Sequence, residues 1–347
     1  MRVGVDASNL PRDRRGMGRF VRSVLRAALA AEDVRLELLS TRGGDDAAIE
    51  RELPGVPVRR SGVAATRGRY DVLWYPWNGV RFRSAAPSLV TIYDAFAFDE
   101  PAHGAIARGR EQRPIRRAAR EATHVSTISR WSRERIHVRL DVPRERISVV
   151  PLAPDPFFFP GAAEGLPEAL RDRRYALLVG AREPRKNARL AIEACARAFV
   201  PGERLVVVGE LDAADARAVK SRGLSAGSVA AGDETLRALY RAAGVVLVPS
   251  LAEGFGLVAV EALACGAPVL AANTSALPEA VEGLAPLLDP RDPEAWAREI
   301  RRILDEPAYA SGLRARGVAR FAYADREAPA RATLDLLRRV AAGSAPA

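Results

Sequence analysis

Twice along its 347 residues the chain runs through the same alternation of short apolar strands and amphipathic helices. That alternation restricts it to parallel sheets wound with helices on both faces, the α/β class. Runs such as Val245-Val246-Leu247-Val248 are apolar at every position, as strands buried on both faces must be. The first series predicts strands near 2–6, 34–39, 70–75, 88–93, 124–128 and 147–150, with helices at Met17–Ala31, Ile106–Glu121 and Arg130–Val138. The second restarts at Tyr175, with strands 175–180, 204–208, 245–248 and 268–271. Its helices are expected at 187–199, 212–221, 233–242, 257–265, 293–304 and 308–320, followed by an amphipathic stretch from Asp325 to Val340. Between the two series the Pro- and Phe-rich stretch Pro151–Pro167 fits neither period and reads as a connector. The expected division is a first domain over 1–158, a linker over 159–174, a second domain over 175–324 and a terminal helix over 325–341, with a frayed tail behind it. Each domain is long enough to bury its own core, and two such domains imply a cleft.

Composition removes several classes of function. No apolar run approaches the roughly 18 residues of a membrane span. Met1 leads directly into a strand with no long apolar leader, so a cytoplasmic location is expected. Cys195 and Cys265 each fall within an apolar helical pattern and are expected as buried free thiols. His103, His124 and His137 show no metal-ligand spacing and no Asp-x-Asp pair occurs, so neither a metal nor a cofactor is expected. The dinucleotide fingerprint Gly-x-Gly-x-x-Gly is missing after the early strands, which argues against a dehydrogenase. The net charge of +10 is uneven: residues 1–160 carry 28 Arg against 19 acidic residues, and the remainder 25 basic against 24. Attraction to an anionic surface is the simplest physical reading of that asymmetry. Arg113, Arg116, Arg117 and Arg120 recur at three- and four-residue steps as a stripe on one helix side, with Arg108 and Arg110 just before them.

The most specific stretch is Glu253-Gly-Phe-Gly-Leu-Val-Ala-Val-Glu261, a glycine loop between an apolar strand and the helix after it. Gly254 and Gly256 allow positive φ and close backbone approach to a ligand, while the helix start offers unpaired N–H groups and partial positive charge. An anion suits that place, and the two carboxylates each suit a pair of hydroxyls. Arg182, Arg185 and Lys186 follow the second domain's first strand, where open parallel sheets bind ligands. Cations there match a diphosphate, although three cations alone also describe a solvated basic turn. Gly16-Met17-Gly18 before a helix is compatible with a simple turn. Tyr93 and Asp94 end a strand.

These residues resemble glycosyltransferase family 4, the retaining nucleotide-sugar enzymes of the two-domain GT-B fold. The likeness runs through Val179-Gly-Ala-Arg-Glu-Pro-Arg-Lys-Asn187, Leu239-Tyr-Arg-Ala-Ala243, Pro249-Ser250, Glu253–Glu261 and Ala264-Cys-Gly-Ala-Pro-Val269. It is looser in the first half, at Gly16-Met-Gly-Arg19, Thr91-Ile-Tyr-Asp94 and Val149-Val-Pro151. It implies two doubly wound domains facing across a cleft, with the terminal helix crossing back to the first. It further implies hexose transfer, with retention and without a metal, from a nucleoside-diphosphate sugar to a saccharide or lipid-linked acceptor in surface polysaccharide synthesis. Glu253 with the backbone of Gly254, Phe255, Gly256 and Leu257 is then expected on the transferred sugar, Glu261 on the ribose, and Lys186 with Arg182 or Arg185 on the diphosphate. Gly16 and Gly18 would approach the donor from the first domain, and Tyr93 and Asp94 are candidate sugar contacts. The variant motif is similar to mannosyl- and rhamnosyltransferases, so GDP-mannose is the expected donor. Two departures matter. Ala181 stands where part of the family has Arg, leaving Arg182 and Arg185 as alternatives, and Tyr93 stands where many relatives have His, leaving either a sugar contact or a packed ring. The alternative readings are a GT-B sugar phosphorylase, a nucleotide-sugar epimerase or, outside enzymes, a basic nucleic-acid-binding module. Nucleic acid is not expected as a partner, because the basic residues are dispersed and no aromatic platform accompanies them. Peripheral attachment to the inner membrane face is expected through the basic half.

Overall fold

A computed structural model describes residues 1–14, 16–41, 45–61, 68–82, 84–99, 104–322 and 324–343. The chain divides into two compact units, Met1–Ala153 with Glu327–Ala347 and Pro154–Arg326. Among the described residues the first unit has seven strands, β1 (Arg2–Asp6), β2 (Arg35–Ser40), β3 (Val58–Arg60), β4 (Val72–Tyr75), β5 (Ser88–Thr91), β6 (His124–Thr127) and β7 (Ile147–Val149). All pair in parallel, in the order β3-β2-β1-β4-β5-β6-β7. Its helices include α1 (Gly16–Ala30), α2 (Asp46–Glu52), α3 (Phe96–Asp99), α4 (Ala105–Glu121) and α5 (Arg130–Leu140).

In the second unit the strands are β8 (Tyr175–Val179), β9 (Arg204–Val208), β10 (Ala226–Val229), β11 (Val245–Val248), β12 (Val269–Ala272) and β13 (Leu287–Leu288). They too are parallel, in the order β10-β9-β8-β11-β12-β13. The helices between and after them are α6 (Ala188–Ala198), α7 (Ala213–Ser221), α8 (Asp233–Ala242), α9 (Leu257–Ala264), α10 (Leu277–Val281), α11 (Pro293–Asp305) and α12 (Pro307–Ala322). The last helix, α13 (Ala328–Ala341), belongs to the first unit, where it packs on α1, β4 and β5 and buries Leu334, Leu336, Leu337 and Val340.

The order of strands decides where a ligand can sit. In the second sheet β9 and β10 lie on one side of β8, and β11, β12 and β13 on the other. The connections on the two sides of β8 therefore run outward in opposite directions, which opens a crevice at the carboxyl ends of β8 and β11. In the first sheet the same reversal falls between β1 and β4.

Three strands went unread in the sequence: β3, β10 and β13. Each is the outermost strand of its sheet, paired on one side only. β3 and β10 contain Arg, Gly and Ser and are only partly buried, and β13 has two residues, so none leaves the apolar run that marks a central strand.

The segment expected as the linker, 159–174, lies inside the second unit. Its aromatic lead-in packs on α8: Phe158 is fully buried with its ring 5.8 Å from that of Tyr240. Arg237 stacks on Phe157 at 4.1 Å, and Arg241 donates to the carbonyls of Phe159 (2.9 Å) and Ala162 (2.7 Å). The composition that looked like a break, Pro with three consecutive Phe, is thus a packed strap.

Candidate active site

Glu253 lies in the loop between β11 and α9 and is 6% exposed. Its Oε1 accepts from Lys186 Nζ and from Ser250 Oγ, each at 2.7 Å, and its Oε2 accepts from Arg185 Nη1 at 2.9 Å. The two cations come from the turn after β8, the carboxylate from the turn after β11, so the cluster spans the crevice between those strands. Burial alone would push the Glu253 carboxyl up. The charges of Lys186 and Arg185, with the hydrogen bonds from Lys186 and Ser250, outweigh burial and hold it below its usual range. It is therefore a carboxylate at neutral pH. Arg185 is also paired with Glu183 at 2.6 Å.

The local backbone explains why these side chains converge. Pro184–Lys186 forms one 3-10 turn with Pro at its start, and Asn187 ends it in the left-handed region at φ 54. Asn tolerates that conformation better than most residues. Its Nδ2 then donates to the carbonyls of Pro249 (3.1 Å) and Pro290 (3.0 Å), tying the turn after β8 to those after β11 and β13. Glu253 N donates to Ser275 Oγ at 2.9 Å, and Thr274 Oγ1 to the Ser250 carbonyl at 3.0 Å. Gly256 sits at φ 108, and a Cβ there would approach Leu277 Cδ2 to 2.7 Å, so only glycine lets α9 start where it does. Behind the loop, Phe255 is 8% exposed and Leu257 opens the helix.

Glu261, the second carboxylate, is 6% exposed one turn into α9, with Tyr240 Oη 3.4 Å from its Oε2. Arg182 is not brought to Glu253: its side chain is 82% exposed and lies 3.8 Å from Glu210. Of the two alternatives the sequence left open, Arg185 is the one that shares the carboxylate with Lys186. Sequence reasoning gives Ser250 and Asn187 no role beyond the motifs in which they stand. The Pro-Arg-Lys-Asn order, a Pro turn start followed by an Asn able to adopt positive φ, is the signal that could have flagged Asn187.

The remaining candidates belong to the first unit. Gly16 and Gly18 open α1. A Cβ on Gly18 would lie 1.9 Å from the Asp13 carbonyl oxygen, because the turn after β1 folds onto the helix start and Arg22 donates to the carbonyls of Leu10 and Asp13. Tyr93 is 3% exposed, edge-on to Phe20 at 6.3 Å. Burial raises its pKa, and its hydroxyl finds no hydrogen-bond partner among the described residues. Its ring is packed. Asp94 Oδ1 accepts from Phe96 N at 3.1 Å, at the start of α3.

His124 is buried, bonded to Ser148 Oγ at 2.9 Å, and burial with the nearby Arg146 and Arg339 pulls its pKa down to about 4. His137 Nδ1 lies 2.8 Å from the Val142 carbonyl, and His103 is outside the described residues. Both cysteines are buried free thiols, and burial pushes Cys265 up to about 12. Among the described residues no group of three or more His, Cys, Asp or Glu is arranged to hold a metal ion, and no helix is long and apolar enough to cross a membrane.

The family described as glycosyl transferases group 1 matches residues 166–319, which include the whole Lys186–Glu253–Glu261 region. The O-antigen chain mannosyltransferase B of Escherichia coli is 31% identical over 272 residues, covering 74% of this chain and 71% of that enzyme. The D-inositol 3-phosphate glycosyltransferase of Mycolicibacterium smegmatis is 36% identical over 201 residues, though the match spans only 45% of its length. Among solved structures, Anabaena HepE in complex with UDP and glucose superposes with a TM-score of 0.74 over 97% of this chain and 99% of that one, at 16% identity, a likeness of fold alone. With two parallel doubly wound sheets and an alignment of this extent to the mannosyltransferase, the chain belongs to the group 1 glycosyl transferases, the family-4-like enzymes of the GT-B fold.

Proposed function

We propose that the protein transfers a hexose, with retention and without a metal ion, from a nucleoside-diphosphate sugar to a saccharide or lipid-linked acceptor in surface polysaccharide or glycoconjugate synthesis. The observation that carries this reading is the meeting of Lys186, Arg185 and Glu253 at the carboxyl ends of β8 and β11, just ahead of the α9 amino terminus. Two cations and a helix start suit a diphosphate. As the bond to the sugar breaks, charge grows on the departing phosphate, and cations already in place stabilise it more in the transition state than in the ground state. Glu253 and the backbone of Gly254–Leu257 are assigned to the sugar hydroxyls, Glu261 to the ribose. Glu253 is bound to two cations and a hydroxyl and is a poor candidate for a covalent nucleophile. The route that fits is attack on the leaving-group face, with the phosphate taking the acceptor proton.

The acceptor is assigned to the first unit. The mannosyltransferase relative favours GDP-mannose as donor. A thermal-shift and transfer assay across GDP-, UDP-, ADP- and TDP-sugars tests this, each run with and without EDTA. GDP-mannose should raise the melting temperature most and support transfer that survives the chelator. Transfer abolished by EDTA and restored by magnesium would overturn the metal-free mechanism, and stabilisation only by another nucleotide would overturn the donor.

The first unit carries all of the net positive charge. On α4, Arg108, Arg110, Arg113, Arg116 and Arg120 are exposed, as is Ile106, while Arg117 pairs with Glu121 at 2.9 Å. We assign this face to an anionic membrane leaflet, where each basic residue near the surface contributes about 1 kcal/mol. Sedimentation with anionic vesicles should retain the protein at 0.1 M salt and release it near 1 M, as the Debye length falls from ~10 to ~3 Å. An Arg108, Arg110, Arg113 and Arg120 to Glu variant should stay in solution. Equal pelleting of variant and wild type would remove the assignment.

A further inference from the structure

The bonds of Glu253 leave little of it available for sugar. Oε1 already accepts from Lys186 and Ser250, and Oε2 from Arg185. A carboxylate offers about four lone-pair positions, so both on Oε1 are taken and one on Oε2. Two sugar hydroxyls cannot be accepted unless a cation lets go. The same count applies from the side of the phosphate. Lys186 and Arg185 are balanced by Glu253 and Glu183, so the cluster has no net charge with which to attract a diphosphate until the cations change partner.

We propose that Glu253 is the resident counter-anion of Lys186 and Arg185, and that donor binding is a partner exchange. The diphosphate takes the two cations, and the released carboxylate, still held by Ser250, takes the sugar hydroxyls. This rests on the donor reading given above and adds a coupling to it. A nucleoside diphosphate without sugar strips the cations from a buried carboxylate and returns nothing to it, whereas a nucleotide sugar supplies both halves. Glu253 therefore opposes binding of the bare diphosphate and favours the intact donor, which also helps the spent nucleotide to leave.

The sign of one substitution separates this from a carboxylate that merely touches sugar. Calorimetry with GDP, UDP and inorganic pyrophosphate should show Glu253→Gln binding them about tenfold or more tighter than wild type, since the carboxylate charge that competes for the two cations is gone. Unchanged or weaker binding by a folded variant overturns the exchange. A second measurement needs no variant at the site. Lysine occurs only at 186 and 220, and Lys220 is exposed on α7, so nitrogen-15 lysine labelling gives two ammonium signals, assigned with Lys220→Arg. Pyrophosphate should move the Lys186 signal and leave Lys220 in place; a stationary Lys186 signal while calorimetry reports binding contradicts the proposal. Wild type that binds none of the three probes removes the donor reading and this inference together, whereas binding without tightening in Glu253→Gln removes only the inference.

Discussion

Replacing Lys186 by Met is expected to lower turnover by roughly 10²- to 10³-fold, the usual loss when one preorganised donor to a developing oxyanion is removed. Lys186 is 9% exposed, and its ammonium is held at 2.7 Å by Glu253 until donor binding passes it to the diphosphate. That exchange is complete before the bond to the sugar breaks, so little further reorganisation is needed when charge appears on the phosphate. Met keeps most of the volume and the apolar stem, so packing between β8 and β11 should survive. Arginine at the same place should recover part of the rate, because it restores charge without the compact geometry of an ammonium. Steady-state kinetics on the folded variants checks this. Turnover within threefold of wild type would mean that Lys186 supports the fold and not the reaction.

The second large effect separates the two carboxylates. Glu261→Ala should weaken the bare nucleotide and the nucleotide sugar alike, by ~10- to 100-fold, if it accepts charge-assisted hydrogen bonds of roughly 1.5 to 3 kcal/mol from ribose. Glu253→Gln should cut transfer by about 10²-fold or more, through the lost sugar contact, without weakening the bare nucleotide. The two residues are only eight apart in sequence, but one sits before the start of α9 and the other inside it, beside Tyr240. Calorimetry and kinetics on both variants decide it. Equal losses of nucleotide affinity would merge the two roles and sink the assignment.

Much of this was legible in the sequence because central parallel strands are buried on both faces. Val245–Val248 and Tyr175–Val179 write that burial directly as unbroken apolar runs, and the helices between them keep a clear polar side. The outer strands β3, β10 and β13 have one paired side, so they carry no such run. The site was legible in its parts, since glycines, carboxylates and cations stood at the ends of the two strands flanking the crevice. Their pairing was not. Lys186 and Glu253 are 67 positions apart, and nothing in local sequence tells Arg182 from Arg185. That choice follows from the 3-10 turn at Pro184, which turns Arg185 and Lys186 toward β11 and leaves Arg182 beside Glu210. The connector misled for a related reason: Pro and Phe together interrupt both periods, yet the aromatic rings were bound for α8.

The most direct test of the account is the configuration of the bond it makes. Incubated with an α-linked nucleotide sugar and its acceptor, the protein should give a product whose anomeric carbon, read by the one-bond carbon–proton coupling in NMR, is again α. A β-linked product would contradict front-face transfer at the Lys186–Arg185–Glu253 cluster.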